Sequence, residues 1–259
     1  MDKPNPLTAE SEPDVSLVFA QVKLLNYNEI PQAIETGVRA CEEDSLFRYL
    51  IYDTQNADKR CRRQRYWLFY YLGIATAVHH REALTIDRGN SLVILRPAPN
   101  SRKDTLFDRT WKPVHTLVVR FLMAFDTKIQ KERHAEFTRK LTITLKDTIA
   151  DRIYDMMWLD GESTARDKQG LGYDFMLVGY AAGKADILGR AIWSCSYSTR
   201  RTELYEKFGF LTVGEFTVGE DNPTWDKPPV LIRVMVRQPQ SFSRSNEKSQ
   251  SSMFTQFGI

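Results

Sequence analysis

The feature that most restricts the fold is the order of elements after residue 152. A strand-like run over 153–159 leads through a polar loop to Lys168-Gln169-Gly170-Leu171-Gly172, and then to a helical run over 171–188 that Gly189 stops. Two glycines one residue apart, where a strand turns into a helix, let the backbone double back and leave several N–H groups free at the helix N-terminus. Such a terminus favours a phosphate, because unpaired donors and the helix dipole both point at it. By itself the pair is equally compatible with a plain structural turn. A dinucleotide fingerprint is incomplete, since position 175 is Phe, and no Gly-Lys-Ser/Thr follows to make a nucleoside-triphosphate loop. A strand over 191–197, a short helix over 199–208 and two strands over 212–220 and 230–237 complete this half.

The first half supports the same α/β (α+β) reading. Residues 15–25 alternate loosely as a first strand, and Asn28 offers an N-cap ahead of Ile30, Ala33, Ile34, Val38 and Cys41 at helical spacing. A second helix is expected over 57–79, where Arg60, Arg62, Arg63 and Arg65 lead into an apolar run. The runs 84–86 and 92–95, separated by Arg88-Gly89-Asn90, read as a hairpin that Pro97 and Pro99 end. From 100 to 152 the period changes to long helices, one near 114–125 and one in which Phe137, Leu141, Leu145 and Ile149 recur every four residues. We treat 100–152 as a helical insertion in one domain spanning 15–237, with a flexible lead-in over 1–14 and a disordered tail over 238–259.

Composition narrows the partners. With 36 basic against 33 acidic residues the net charge is +3, too balanced for a dedicated nucleic-acid binder or a polybasic membrane binder. The three cysteines, Cys41, Cys61 and Cys195, form no C-x-x-C pair, so neither a disulfide framework nor a zinc knuckle is indicated. No stretch approaches 18 uncharged apolar residues, and the reading is a cytoplasmic protein with neither membrane nor nucleic-acid partner.

Three segments together carry more than the glycines alone. Gln169-Gly170-Leu171-Gly172, Ala185-Asp186-Ile187-Leu188-Gly189 and Leu204-Tyr205-Glu206-Lys207-Phe208-Gly209-Phe210, in this order of elements, resemble the GNAT superfamily of N-acetyltransferases, especially the extended forms found in fungi. The resemblance extends over 153–237, is looser over 15–97, and leaves out the insertion and both ends. It implies a central mixed, mostly antiparallel sheet flanked by helices, with the insertion between strands 3 and 4. It implies acetyl-CoA, or another short acyl-CoA, as co-substrate with no metal, and a small-molecule amine as acceptor. A protein amine, or a fold that binds CoA without transfer, are the alternatives.

Carried onto this sequence, the family's phosphate loop falls on Asp167 through Tyr173, so that Lys168, Gln169, Gly170, Leu171, Gly172 and Tyr173 would hold the pyrophosphate through backbone N–H groups. Trp158 and Leu159 would pair with the pantetheine arm in the splay of two parallel strands. Ser198 falls where the family often has a small polar residue near the cofactor, and Tyr205 matches the tyrosine that can protonate the leaving thiolate. A phenol near pKa 10 stays protonated at neutral pH and can donate to a thiolate whose conjugate acid is about 8.5. Asp167 departs from the family's Arg or Gln and is expected to point outward or cap the helix.

The residues themselves leave the general base open among Glu162, Asp160 and Asp155, with Glu162 preferred for its place in the loop before the glycines. Alternation puts Asp155, Met157 and Leu159 on one strand face and Met156, Trp158 and Asp160 on the other. His79 and His80 read as partners of a helix C-terminus, His115 and His134 lack a ligand set, and Cys195 reads as a small buried residue. The aromatic residues of the second helix, with Phe107 and Trp111 of the insertion, suit either an acceptor pocket or core packing.

Overall fold

The computed structural model describes residues 21–53 and 59–240. The expected lead-in over 1–14, the expected tail over 238–259 from residue 241 on, and the first strand before residue 21 lie outside them. One seven-stranded sheet organises the described chain, in the order β1-β2-β3-β4-β5-β7-β6. The strands are β1 (Lys23–Leu24), β2 (Ala83–Ile86), β3 (Ser91–Arg96), β4 (Met157–Thr164), β5 (Ile192–Ser196), β6 (Leu211–Val218) and β7 (Val230–Arg237). Every neighbouring pair is antiparallel except β4 and β5, which run parallel.

The helices are α1 (Ile30–Glu43), α2 (Lys59–His79), α3 (Leu106–Ala124), α4 (Lys128–Thr148), α5 (Tyr173–Ile187) and α6 (Thr199–Lys207). All four residues of β2 are buried, as are most of β3, because helices cover both faces of the sheet there. Leu177, Val178 and Ala181 of α5 pack on Val93, Leu95, Met157 and Leu159 on one face. Ile34 and Val38 of α1, with Ile74 and Val78 of α2, pack on Leu92 and Ile94 on the other.

The insertion between β3 and β4 is two antiparallel-capable helices with strong start signals. Thr105 and Asp108 form a capping box at α3, and Thr127 and Gln130 form another at α4. The four-residue period of α4 packs the partly buried Leu141 and Leu145 and the buried Ile149 that follows against Trp193, Val234 and Val236. Helix α4 crosses β6 so closely that a Cβ on Gly214 would lie 2.7 Å from Thr148 Cγ2, so glycine permits the approach. Arg133, fully buried, ties α4 down by donating to the carbonyls of Tyr49 (2.6 Å), Asp53 (3.1 Å) and Thr224 (2.5 Å), between the rings of Tyr49 and Trp225.

Three expectations needed correction. The N-cap ahead of α1 is not Asn28: a short 3-10 turn, Tyr27–Glu29, precedes α1, and Asn26 caps it in a reciprocal pair with Glu29. Helix α3 begins eight residues before the expected start near 114, with Pro113 inside it. Residues Ala150–Asp155 form a 3-10 helix rather than the start of a strand, and β4 continues through Asp160–Thr164, which composition marks as a loop. Polar residues are tolerated there because the strand borders open cavities and because Ser91 and Thr164 hydrogen-bond through their hydroxyls at 2.7 Å.

Candidate active site

The parallel pair β4 and β5 is joined at Met157 with Ile192 and at Trp158 with Trp193, and the ladder goes no further. Beyond that point the strands diverge, and a carbonyl left behind must find another donor. The Ser194 hydroxyl supplies it, 2.8 Å from the Leu159 oxygen. On its other edge β4 carries a bulge, since Leu92 faces Ser163 and Ile94 faces Asp160, leaving Gly161 and Glu162 opposite Val93 alone. Trp158 points to the insertion side, stacked on Trp193 at 5.2 Å with the Arg96 guanidinium over it at 5.1 Å.

Tyr205 of α6 comes into this splay. Its ring is buried against Phe210 at 5.1 Å, its hydroxyl lies 3.2 Å from Ser194 Oγ, and the Glu162 carboxylate stands close enough for its charge to act on the phenol. Arg201, one turn earlier on α6, places Nε 3.6 Å from Glu162 Oε2, donates to the Glu162 carbonyl at 3.1 Å, and lies over the Tyr197 ring at 4.3 Å. Burial, then the Glu162 charge, pushes the Tyr205 phenol well above its ordinary value, so the hydroxyl stays protonated. Burial also raises the Glu162 carboxyl, against the opposing pull of Arg201 and Tyr205.

The glycine turn is formed by two left-handed residues, Gly170 at φ 82° and Gly172 at φ 75°, the latter capping α5. Among the described residues the N–H groups of Gly170, Gly172, Tyr173 and Asp174 have no backbone acceptor, whereas Gln169 and Leu171 donate to Arg166 and Lys168. Apart from the glycine and its two chain neighbours, no atom of the described residues lies within 4 Å of where a Cβ would stand on either glycine. The turn thus presents donors to open space, the arrangement an oxyanion group fits. Asp167 is 78% exposed and turned outward beside the Lys168 ammonium, which sits between it and Asp87. Asp174 in the first turn of α5 is paired with Arg200 at 2.9 Å, which offsets its charge next to the donors.

Two cavities open on the insertion side of the splay. One of about 830 Å³ carries His80, Glu82, Arg102 and Asp108 in its wall and reaches Asp160 and Glu162. The other, of about 530 Å³, reaches Leu159, Asp160, Glu162, Ser194, Arg201 and Tyr205. Asp160 borders both: one oxygen accepts from the Gly161 N–H at 2.8 Å, the other is 3.8 Å from Arg96, and burial raises its carboxyl despite that arginine.

No protein-family model matches the sequence, and no curated protein matches it. Solved structures match its backbone. An arylalkylamine N-acetyltransferase 2 from Aedes aegypti aligns over 85% of this chain and 98% of its own, at 11% identity and TM-score 0.53. A polyamine N-acetyltransferase of Drosophila melanogaster that forms N-acetylagmatine aligns over 84% and 98%, at 12% identity and TM-score 0.53. A putative arylalkylamine N-acetyltransferase 7 of the yellow fever mosquito aligns over 84% and 86%, at 15% identity and TM-score 0.53. The chain has the GNAT fold.

Within this GNAT fold the glycine turn opens α5, the parallel pair carries the splay, and α6 supplies Tyr205. Trp158 and Leu159 stand at the point of divergence. Ser198 is at the N-terminus of α6, where its hydroxyl accepts the Arg201 N–H at 3.3 Å, and it borders neither cavity. Asp155 ends the 3-10 helix, exposed and hydrogen-bonded to Asn100, away from the splay. His80 is 3.0 Å from Asp108 at the far wall of the larger cavity, and among the described residues no group of His, Cys, Asp and Glu is arranged to hold a metal. Burial pushes the Cys195 thiol up to about 12, which makes it unreactive at neutral pH. Arg201, Ser194 and Arg96 escaped sequence reasoning: an arginine on a short polar helix reads as solvated, and a serine in a strand reads as small core.

Proposed function

We propose that the chain is an acyl-CoA-dependent N-acyltransferase that moves an acetyl group from acetyl-CoA to the amine of a small molecule by direct attack in a ternary complex. The observation that carries this reading is the Tyr205 hydroxyl, held protonated where β4 and β5 part, in the same fold that leaves the N–H groups of Gly170, Gly172, Tyr173 and Asp174 without a backbone acceptor among the described residues. Acetyl-CoA supplies the activated acyl group. The free N–H groups of the glycine turn would bind its pyrophosphate, and the diverging strands would bind its arm. Tyr205 would donate a hydrogen bond to the departing sulfur. Glu162 lies beside Tyr205 and Arg201, its Oε2 3.6 Å from Arg201 Nε and without a hydrogen-bond partner among the described residues, and its charge helps to keep the phenol protonated. Asp160 borders both acceptor cavities, and its raised carboxyl suits a group that takes a proton from an attacking ammonium.

Millimolar acetyl-CoA is expected to raise the melting temperature by several degrees, and a panel of amines to release free thiol from it. No shift with either acetyl-CoA or CoA would remove the cofactor assignment. A shift without thiol release on any amine would leave a CoA-binding protein.

Gly170→Leu tests the phosphate turn. The free protein has room for the side chain, at a conformational cost on the order of 1–2 kcal/mol for a left-handed non-glycine residue. The acetyl-CoA Kd should rise at least about tenfold, because the new side chain fills the space the donors face. Unchanged affinity by calorimetry would displace the pyrophosphate from this loop.

A further inference from the structure

We propose that the acceptor is a primary amine carried on a long apolar tail, with the tail lying in the cavity of about 530 Å³ that the insertion helices complete. This rests on the acyl-transfer reading above. Of the two cavities, only this one includes Tyr205, Ser194 and Leu159 in its lining among the described residues. An amine attacking at the splay therefore has its substituent directed here.

The walls specify what that substituent is. From α3 and α4 come Val119, Leu122, Phe137 and Leu141, and from the opposite side come Leu50 and Phe69, all apolar. Val119 and Leu122 stand three apart on α3, and Phe137 and Leu141 four apart on α4, so each helix turns one continuous face to the cavity. Charge is confined to the two ends. At the splay, Asp160 is 37% exposed and makes no hydrogen bond with Arg96, which leaves one carboxylate oxygen able to meet an ammonium.

At the far end Arg65 donates to the Leu122 carbonyl at 2.9 Å and to Asp126 at 3.0 Å. Each charge of that pair already has its partner, and burial lowers the nearby His134 so that its ring is neutral. The far end thus offers no free carboxylate to a second ammonium and no free cation to an acid. A polyamine would bring a charge against apolar walls without compensation, which is strongly unfavourable. The same geometry argues against a long acyl chain from the thioester side, since such a chain has nothing to offer Asp160.

The test uses the full chain and straight-chain amines from butylamine to decylamine, with spermidine as the polycation. Turnover with acetyl-CoA is followed by thiol release, and amine binding to the CoA-saturated protein by calorimetry. The expected result is that kcat/KM and affinity rise about fourfold per added methylene until the chain reaches the Arg65–Asp126 pair, while spermidine is poor. Leu122→Trp, which fills the cavity, should flatten that dependence, and Leu141→Phe should do so from the other wall. Independence of chain length in the wild type, or preference for spermidine, overturns the proposal with the acyl-transfer reading intact. Steep chain-length dependence in binding, without thiol release from any amine, upholds the cavity assignment and overturns the transfer reading instead. A decanoyl-CoA preference that Leu122→Trp abolishes would give the cavity to the acyl chain and overturn the proposal.

Discussion

Tyr205→Phe should lower kcat by about 100-fold while leaving the acetyl-CoA Kd within about twofold. The ring keeps its packing against Phe210, so the variant removes one hydroxyl and its hydrogen bond with Ser194. Burial and the neighbouring carboxylate both raise the phenol. A raised phenol is a secure hydrogen-bond donor and a weak acid, and transferring its proton fully to a thiolate of ordinary pKa about 8.5 is uphill. Its contribution is therefore stabilisation of charge growing on sulfur, which places the effect at the lower end of the 10²–10⁴ range for acid catalysis, about 2.7 kcal/mol. For the same reason the wild-type rate should show no descending limb from Tyr205 below about pH 10, since a raised pKa keeps the proton in place as pH rises. Steady-state thiol release together with calorimetric acetyl-CoA titration separates the two effects. Equal turnover by the variant would take Tyr205 out of the chemistry.

What was legible in the sequence follows from the range of the interactions involved. The β2–β3 hairpin and the helices α4 and α5 are local patterns of period and turn chemistry, and they stand where expected. The second half of β4 is not local: Asp160–Thr164 is a strand because β3 pairs with it and because two cavities, rather than a core, lie on one side of it. Tyr205 and the glycines were accessible through motif order. Arg201 was hidden, because its meaning depends on Glu162, 39 residues earlier, crossing the splay to meet it. The cavity was equally hidden. Val119 with Leu122 and Phe137 with Leu141 are ordinary amphipathic spacings, and such spacings look the same whether the face they make closes on a core or lines an open space.

The Asp186 that stands in the Ala185–Gly189 segment is expected to be worth more to stability than any exposed charge in the glycine turn. Its carboxylate receives Arg237 in two parallel bonds, Nη1 to Oδ1 at 2.6 Å and Nη2 to Oδ2 at 2.7 Å, while Oδ1 also accepts the Gln240 N–H at 2.7 Å. Arg237 in turn donates from Nε to the Phe208 carbonyl at 2.6 Å, so one guanidinium fastens the end of α5, the last strand β7 and the turn after α6. The pair is well out of solvent, with Arg237 4% and Asp186 10% exposed. Asp186→Ala leaves a buried guanidinium without its counter-ion, a change that typically costs about 3–5 kcal/mol, or on the order of 10 °C in melting temperature for a chain of this size. Asp167→Ala removes an exposed carboxylate 3.9 Å from Lys168 and should shift the melting temperature by less than about 2 °C. Adding Arg237→Met to Asp186→Ala should recover part of the loss, since it withdraws the stranded charge. If Asp186→Ala melts with the wild type, the bidentate pair does not hold these three elements together.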